Sequence, residues 1–89
     1  MYKIGDRVGA MVCVRHGIVS FLGFGSYQGD EVPPSDIGGY NFGLENPKIL
    51  LDNGDVIWGC ECWWDNEENV KTLLKKAVDV INVSINDYR

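Results

Sequence analysis

The stretch "KILLDNGDVIWGCECWW", residues 48 to 64, constrains this chain more than any other. It sets Asn53-Gly54 between two apolar runs, and that dipeptide is favoured where both central residues of a two-residue hairpin turn need positive φ. Residues 48 to 52 and 55 to 63 are therefore expected to form a hairpin. Beyond the turn, a period of two places Val56, Trp58, Cys60, Cys62 and Trp64 on one face and Ile57, Gly59, Glu61 and Trp63 on the other. Glu61 marks its face as partly wet. The face with the cysteines is then the core candidate, because a free cysteine packs like a small hydrophobe.

A second hairpin is expected upstream. In "GDRVGAMVCV", Val8, Ala10, Val12 and Val14 alternate with Gly9, Met11 and Cys13, His16-Gly17 supplies a turn, and "IVSFLGF" at residues 18 to 24 returns with Gly23 as a bend. After the tryptophans, Asp65 is placed to cap a helix and Glu68 to close a capping box. Val70, Leu73, Leu74, Ala77, Val78 and Ile81 then recur at helical spacing, which predicts a C-terminal helix over about residues 66 to 82. Glu67 stands four residues before Lys71 for a surface pair. The β-branched "VDVINVSI" at residues 78 to 85 is also compatible with a short strand. Strands followed by one helix give a mainly β, α+β class: a small twisted sheet or partly open barrel in a single domain spanning residues 1 to 89.

The 89 residues suffice for one modest core, so a deep pocket must use most of the fold or a subunit interface. Ten aromatic residues (three Trp, four Tyr, three Phe) are many to hide in so small a domain, and self-association into a homo-oligomer is expected. Eight Lys and Arg against 13 Asp and Glu give a formal charge of −5, which disfavours duplex nucleic-acid binding. The bases are not spread evenly. Residues 1 to 24 hold Lys3, Arg7 and Arg15 against Asp6, while residues 25 to 47 hold Asp30, Glu31, Asp36 and Glu45 with no base. The opening residues contain no apolar run that reads as a signal peptide or membrane span, and three cysteines do not make a disulfide framework, so a soluble cytoplasmic protein is expected.

"IGDRV", "GIVSFLGFG" and "LLDNGDVIW" together resemble the SH3-like small-barrel pattern of KOW-type and Tudor-like modules: a GDxV opener, a Gly-x-Val strand and a late hairpin, over roughly residues 4 to 62. That resemblance implies a non-catalytic barrel that binds RNA, polymerase or peptides, and the acidic balance departs from its RNA-binding members. The whole chain also resembles short bacteriophage proteins, which include sponges for the cyclic-nucleotide signals of bacterial immunity.

Residues 25 to 47, "GSYQGDEVPPSDIGGYNFGLENP", read as a long loop too rich in apolar groups to stay solvated. It either completes the core or lines a binding surface with Tyr27, Tyr40 and Phe42. Cys13 and His16 (C-x2-H) with Cys60 and Cys62 (C-x-C) supply four donors for a zinc site, against which stands the spacing, unlike the usual C-x2-C knuckle. No metal or other cofactor is expected. "GFGSYQG" opens into an acidic loop with no following lysine, unlike a nucleotide-binding glycine loop, and His16 has no partners for a triad. No enzyme is read here. Two binding classes remain: sequestration of a small anionic nucleotide by Arg7 and Arg15 with Tyr27, Tyr40, Phe42 or Trp63 stacking on a base, or a protein–protein adaptor that presents the aromatic, acidic loop to a host protein.

Overall fold

The computed structural model describes residues 1–37 and 43–89. Among these residues the chain forms β1 (Arg7–Arg15), β2 (Ile18–Glu31), β3 (Asn46–Leu51), β4 (Val56–Trp58), β5 (Trp63–Asn66), the helix α1 (Glu67–Lys76), β6 (Asp79–Asn82) and a closing 3-10 turn at Ile85–Asp87. The class is mainly β with one α-helix near the C-terminal end. The sheet runs β4-β3-β2-β1-β5, antiparallel throughout, and β6 joins β2 in parallel off that path. Its end strands β4 and β5 do not pair with each other, so the sheet is open.

The first hairpin closes as expected. His16 at φ 54° and Gly17 at φ 77° form a two-residue turn with both positions left-handed, and its twist matches that of the flanking strands. β2 is longer than the sequence pattern implied, because it bends and changes its second neighbour. Ile18–Phe21 lie between β1 and β6, whereas residues from Gly25 to Glu31 carry β3 on that edge. Gly23, at φ 138°, stands at the bend in a conformation an L side chain rarely adopts.

The second hairpin forms with a different turn. Only Gly54 has positive φ (96°). Leu51 C=O accepts from Gly54 N–H (2.9 Å) and Leu51 N–H donates to Asp55 C=O (2.8 Å), so the loop is the three-residue segment 52–54 with glycine at the left-handed position. Asn53 contributes through its side chain, whose Oδ1 accepts from Asp55 N–H at 2.9 Å.

The expected strand over residues 55 to 63 ends at Trp58 instead. The Glu61 carboxylate accepts from Trp58 N–H (3.1 Å), Glu61 N–H donates to Trp58 C=O (2.9 Å), and Gly59 N–H donates to Pro47 C=O (2.8 Å). These bonds turn the chain, and the shared Trp-Cys-Cys-Trp face does not exist. Cys60 is exposed, while Cys62 packs on the core and donates from Sγ to Trp58 C=O. Glu61, expected on a wet face, has a side chain only 5% exposed and paired with Arg89.

Apolar side chains coat both faces of the sheet. One layer contains Val8, Ala10, Leu22, Ile49, Leu51, Ile57 and Ile85. The other gathers Met11, Val19, Phe21 and Val70, with Leu73, Leu74 and Ala77 packed against it. α1 approaches closely because Gly9 lacks a side chain: a Cβ there would lie 2.7 Å from Val70 Cγ1. The helix starts one residue later than the Asp65 capping box implied, with Asn66 Oδ1 accepting from Asn69 N–H at 2.8 Å while Asp65 accepts from the Asn66 amide. The Glu67–Lys71 pair forms at 3.2 Å. α1 stops at Lys76, short of residue 82, because the β-branched run that follows pairs with β2 and Val78 N–H donates to Gly17 C=O. Val78 and Ile81, expected on the helix stripe, are consequently exposed.

Candidate functional site

The residues singled out from the sequence fall in three places. Arg7, at the start of β1, donates from both terminal nitrogens to the Asp52 carboxylate (2.7 and 2.6 Å) and from Nε to Glu67 (3.1 Å). It ties the β3–β4 turn to α1. The hydrogen bonds from this guanidinium hold both carboxyls below their usual range. Two carboxylates already use its donors, so Arg7 offers little to a phosphate.

Tyr27 lies within β2, not in a loop. Its ring stacks on Trp64 (centroids 6.1 Å apart, planes 8° from parallel), and Tyr2 leans on Trp64 at 4.7 Å. Its hydroxyl donates to Asp30 at 2.6 Å, and that hydrogen bond is the main cause of its raised pKa. The three rings pack against the first core layer and one another. Of the expected loop, residues 25 to 31 belong to β2 and residues 46 and 47 to β3. Tyr40 and Phe42 lie outside the described residues.

Trp63 and Arg15 border the same stretch of β1 from opposite faces of the sheet, since Trp63 pairs with Met11 on the face that α1 covers while Arg15 follows Cys13 and Ser20 on the other. Trp63, half exposed at 51%, opens β5 and lines a groove of about 390 Å³ with Met11, Cys13, Val14 and Leu73. A second groove of about 350 Å³, lined by Cys13, Arg15, His16, Ile18 and Ser20, adjoins it through Cys13. Trp63 and Val14 give one end an apolar character, and Arg15 and His16 give the other end a basic one. Among the described residues Arg15 makes no ion pair.

The backbone of this surface is itself unpartnered on one side. β5 covers β1 only from Val8 to Met11, leaving the edge from Val12 to Arg15 bare of any described strand. In a two-residue hairpin the pairs Arg15↔Ile18 and Cys13↔Ser20 direct their N–H and C=O groups at each other. Val14, between them, therefore aims its N–H and C=O away from β2 and out of the sheet edge. Sequence reasoning singled out Trp63 and Arg15 but not Val14 and Leu73, which line the first groove with Trp63. The signal for them was the brevity of the strand opposite β1, which the "GCECWW" alternation concealed.

The cysteines do not gather. Burial pushes the Cys62 thiol up to about 12 and also raises that of Cys60. Among the described residues no group of three His, Cys, Asp or Glu side chains is arranged to hold a metal ion, and no helix is long and apolar enough to cross a membrane.

The fold and this surface define a small α+β domain with an open, partly basic groove on an edge of its sheet. Compared with known proteins, the chain matches no family model, no curated protein and no solved structure.

Proposed function

We propose that the protein is a non-catalytic binding module that engages another protein through the surface between Trp63 and Arg15. The observation that carries this reading is the pair of adjoining grooves, shallow and open, with an exposed tryptophan at one end and, at the other, an arginine that makes no ion pair among the described residues. Exposed aromatic and arginine side chains are the groups most often found at the energetic centre of protein interfaces. The short strands around a long bent β2 are in keeping with the SH3-like resemblance, whose members include peptide binders. This is the adaptor reading, with the surface moved from the loop to the edge of β1.

A bait experiment tests it. Proteins captured from cells by the wild-type chain should be lost with both Trp63→Ala and Arg15→Glu and retained with Lys76→Ala. A captured set that ignores the first two substitutions refutes the proposal.

A second reading, sequestration of a small anionic nucleotide, is favoured by one fact: the grooves of Trp63 and Arg15 meet at Cys13, so a ligand spanning the edge of β1 could stack a base on Trp63 and set a phosphate against Arg15. Arg7 and Tyr27, engaged elsewhere, do not join them. A panel of cyclic dinucleotides should then raise the melting point of wild type and not of Arg15→Ala, because a ligand of the native state stabilises by mass action.

A further inference from the structure

We infer that the partner is held as an added β-strand: an extended segment of another polypeptide pairs with the free edge of β1 at Val12–Arg15, end to end with β5. The inference rests on the protein-binding reading and names what that surface takes. Val14 supplies the first argument, because its outward N–H and C=O need acceptor and donor groups spaced as they are on one extended residue. A helix, with its backbone groups satisfied internally, cannot provide them.

The place of the slot supplies the second argument. β5 ends its coverage at the Met11↔Trp63 pair, and upstream of Trp63 the chain turns away through residues 59–62. A strand added along Val12–Arg15 would continue the line of β5, with the Trp63 side chain at its near end. The hairpin presents this edge already ordered, since β2 holds β1 on its other side.

Charge and apolarity set the segment's side chains. The Met11, Val14, Trp63 and Leu73 groove takes an apolar side chain. Toward the turn, Arg15 and His16 line the second groove beside this edge with no described acidic partner, in a protein whose net charge is −5. A carboxylate is the complement there. The expected occupant is a short extended stretch with an apolar residue at one end and Asp or Glu at the other, and it is neither a helix nor a nucleic acid.

The probe is a library of short random peptides displayed on phage and selected on the whole 89-residue protein, with the winning sequences then synthesised. The winners should carry the apolar and acidic residues and should protect the Val14 amide from hydrogen exchange. Val14→Pro removes the outward N–H without taking a bond from the β1–β2 ladder and should weaken binding about tenfold, the value of one hydrogen bond, whereas Val14→Thr should bind as wild type does. N-methylation of the peptide at the residue opposite Val14 should give the same loss with the protein unaltered, which covers any misfolding of the proline variant. Peptides lost with Trp63→Ala and Arg15→Glu but indifferent to both Val14→Pro and N-methylation would overturn strand addition and leave the protein-binding reading standing. Peptides indifferent to all of these changes, or no selected peptide at all, would overturn both.

Discussion

Arg89→Ala should be among the most destabilising single changes at any partly exposed position. The Glu61 side chain is 5% exposed, and its carboxylate receives Nε and Nη2 of Arg89, each at 2.8 Å, together with Trp58 N–H at 3.1 Å. Nη2 also donates to Val56 C=O at 2.8 Å. The substitution removes three hydrogen bonds, two of them to the Glu61 carboxylate, and leaves a nearly buried carboxylate with one donor. Stranding a fully buried charge costs about 3 to 5 kcal/mol. The Arg89 side chain is 29% exposed and water can replace part of it, so about 2 to 3 kcal/mol is expected. For a domain of this size that lowers the melting point by roughly 10 to 20 °C. Thermal and urea unfolding followed by tryptophan fluorescence measure it. Glu61→Gln combined with Arg89→Ala should recover part of the loss, because the stranded charge is gone. A cost below about 0.5 kcal/mol for Arg89→Ala, the range of an ordinary surface change, would refute the argument that this pair clasps the β4–β5 turn.

Three further outcomes are expected. Gly9→Ala should cost about 1 to 3 kcal/mol by forcing Val70 and α1 outward, and Gly25→Ala at least as much, since its Cβ would collide with the Leu50 carbonyl oxygen of the neighbouring strand; urea midpoints decide. Cys62→Ala should cost roughly 1 to 2 kcal/mol and Cys60→Ala close to nothing, and in thiol titration at mildly alkaline pH Cys62, pushed up to about 12 by burial, should react last. Asp52 and Glu67 are lowered in the folded state by Arg7, so their contribution to stability is present above the usual carboxylate range of about 4 and is lost as pH falls through their lower folded values; Arg7→Ala should flatten that acid limb, read from melting points across acid pH.

The first hairpin was legible because its information is local: alternation, then His16-Gly17, then a β-branched run. Asn53-Gly54 marked the second turn correctly, but whether one or two positions take positive φ depends on the pairing of Leu51 with Asp55, which the dipeptide does not encode. The unbroken alternation from Val56 to Trp64 misled because Glu61 is turned inward by Arg89, a partner 28 positions away. The helix stripe continued past its true end because Val78 and Ile81 satisfy the helical period while their β-branched neighbours pair with β2. For the site, exposed Trp63 and cationic Arg15 could be named from residue type. That Arg7 is neutralised, and that Val14 faces an edge no described strand covers, follow from tertiary pairing alone.

β2 also sets an order of assembly. Its partner β1 is adjacent in sequence, so that hairpin closes a two-residue loop, whereas β6 joins Ile18–Phe21 from roughly sixty residues away. Chain entropy must be lost before so distant a parallel pairing returns any contact. β6 is four residues long, with exposed Ile81 and only exposed Val78 and α1 before it, so its amides should exchange soonest among the strands. Whenever it detaches, Ile18–Phe21 become a second bare edge on the same hairpin arm, directly across from Val12–Arg15. An arm open along both edges can recruit strands from two sides at once, and the aggregation hazard of this protein is concentrated in residues 12 to 21 around the His16-Gly17 turn.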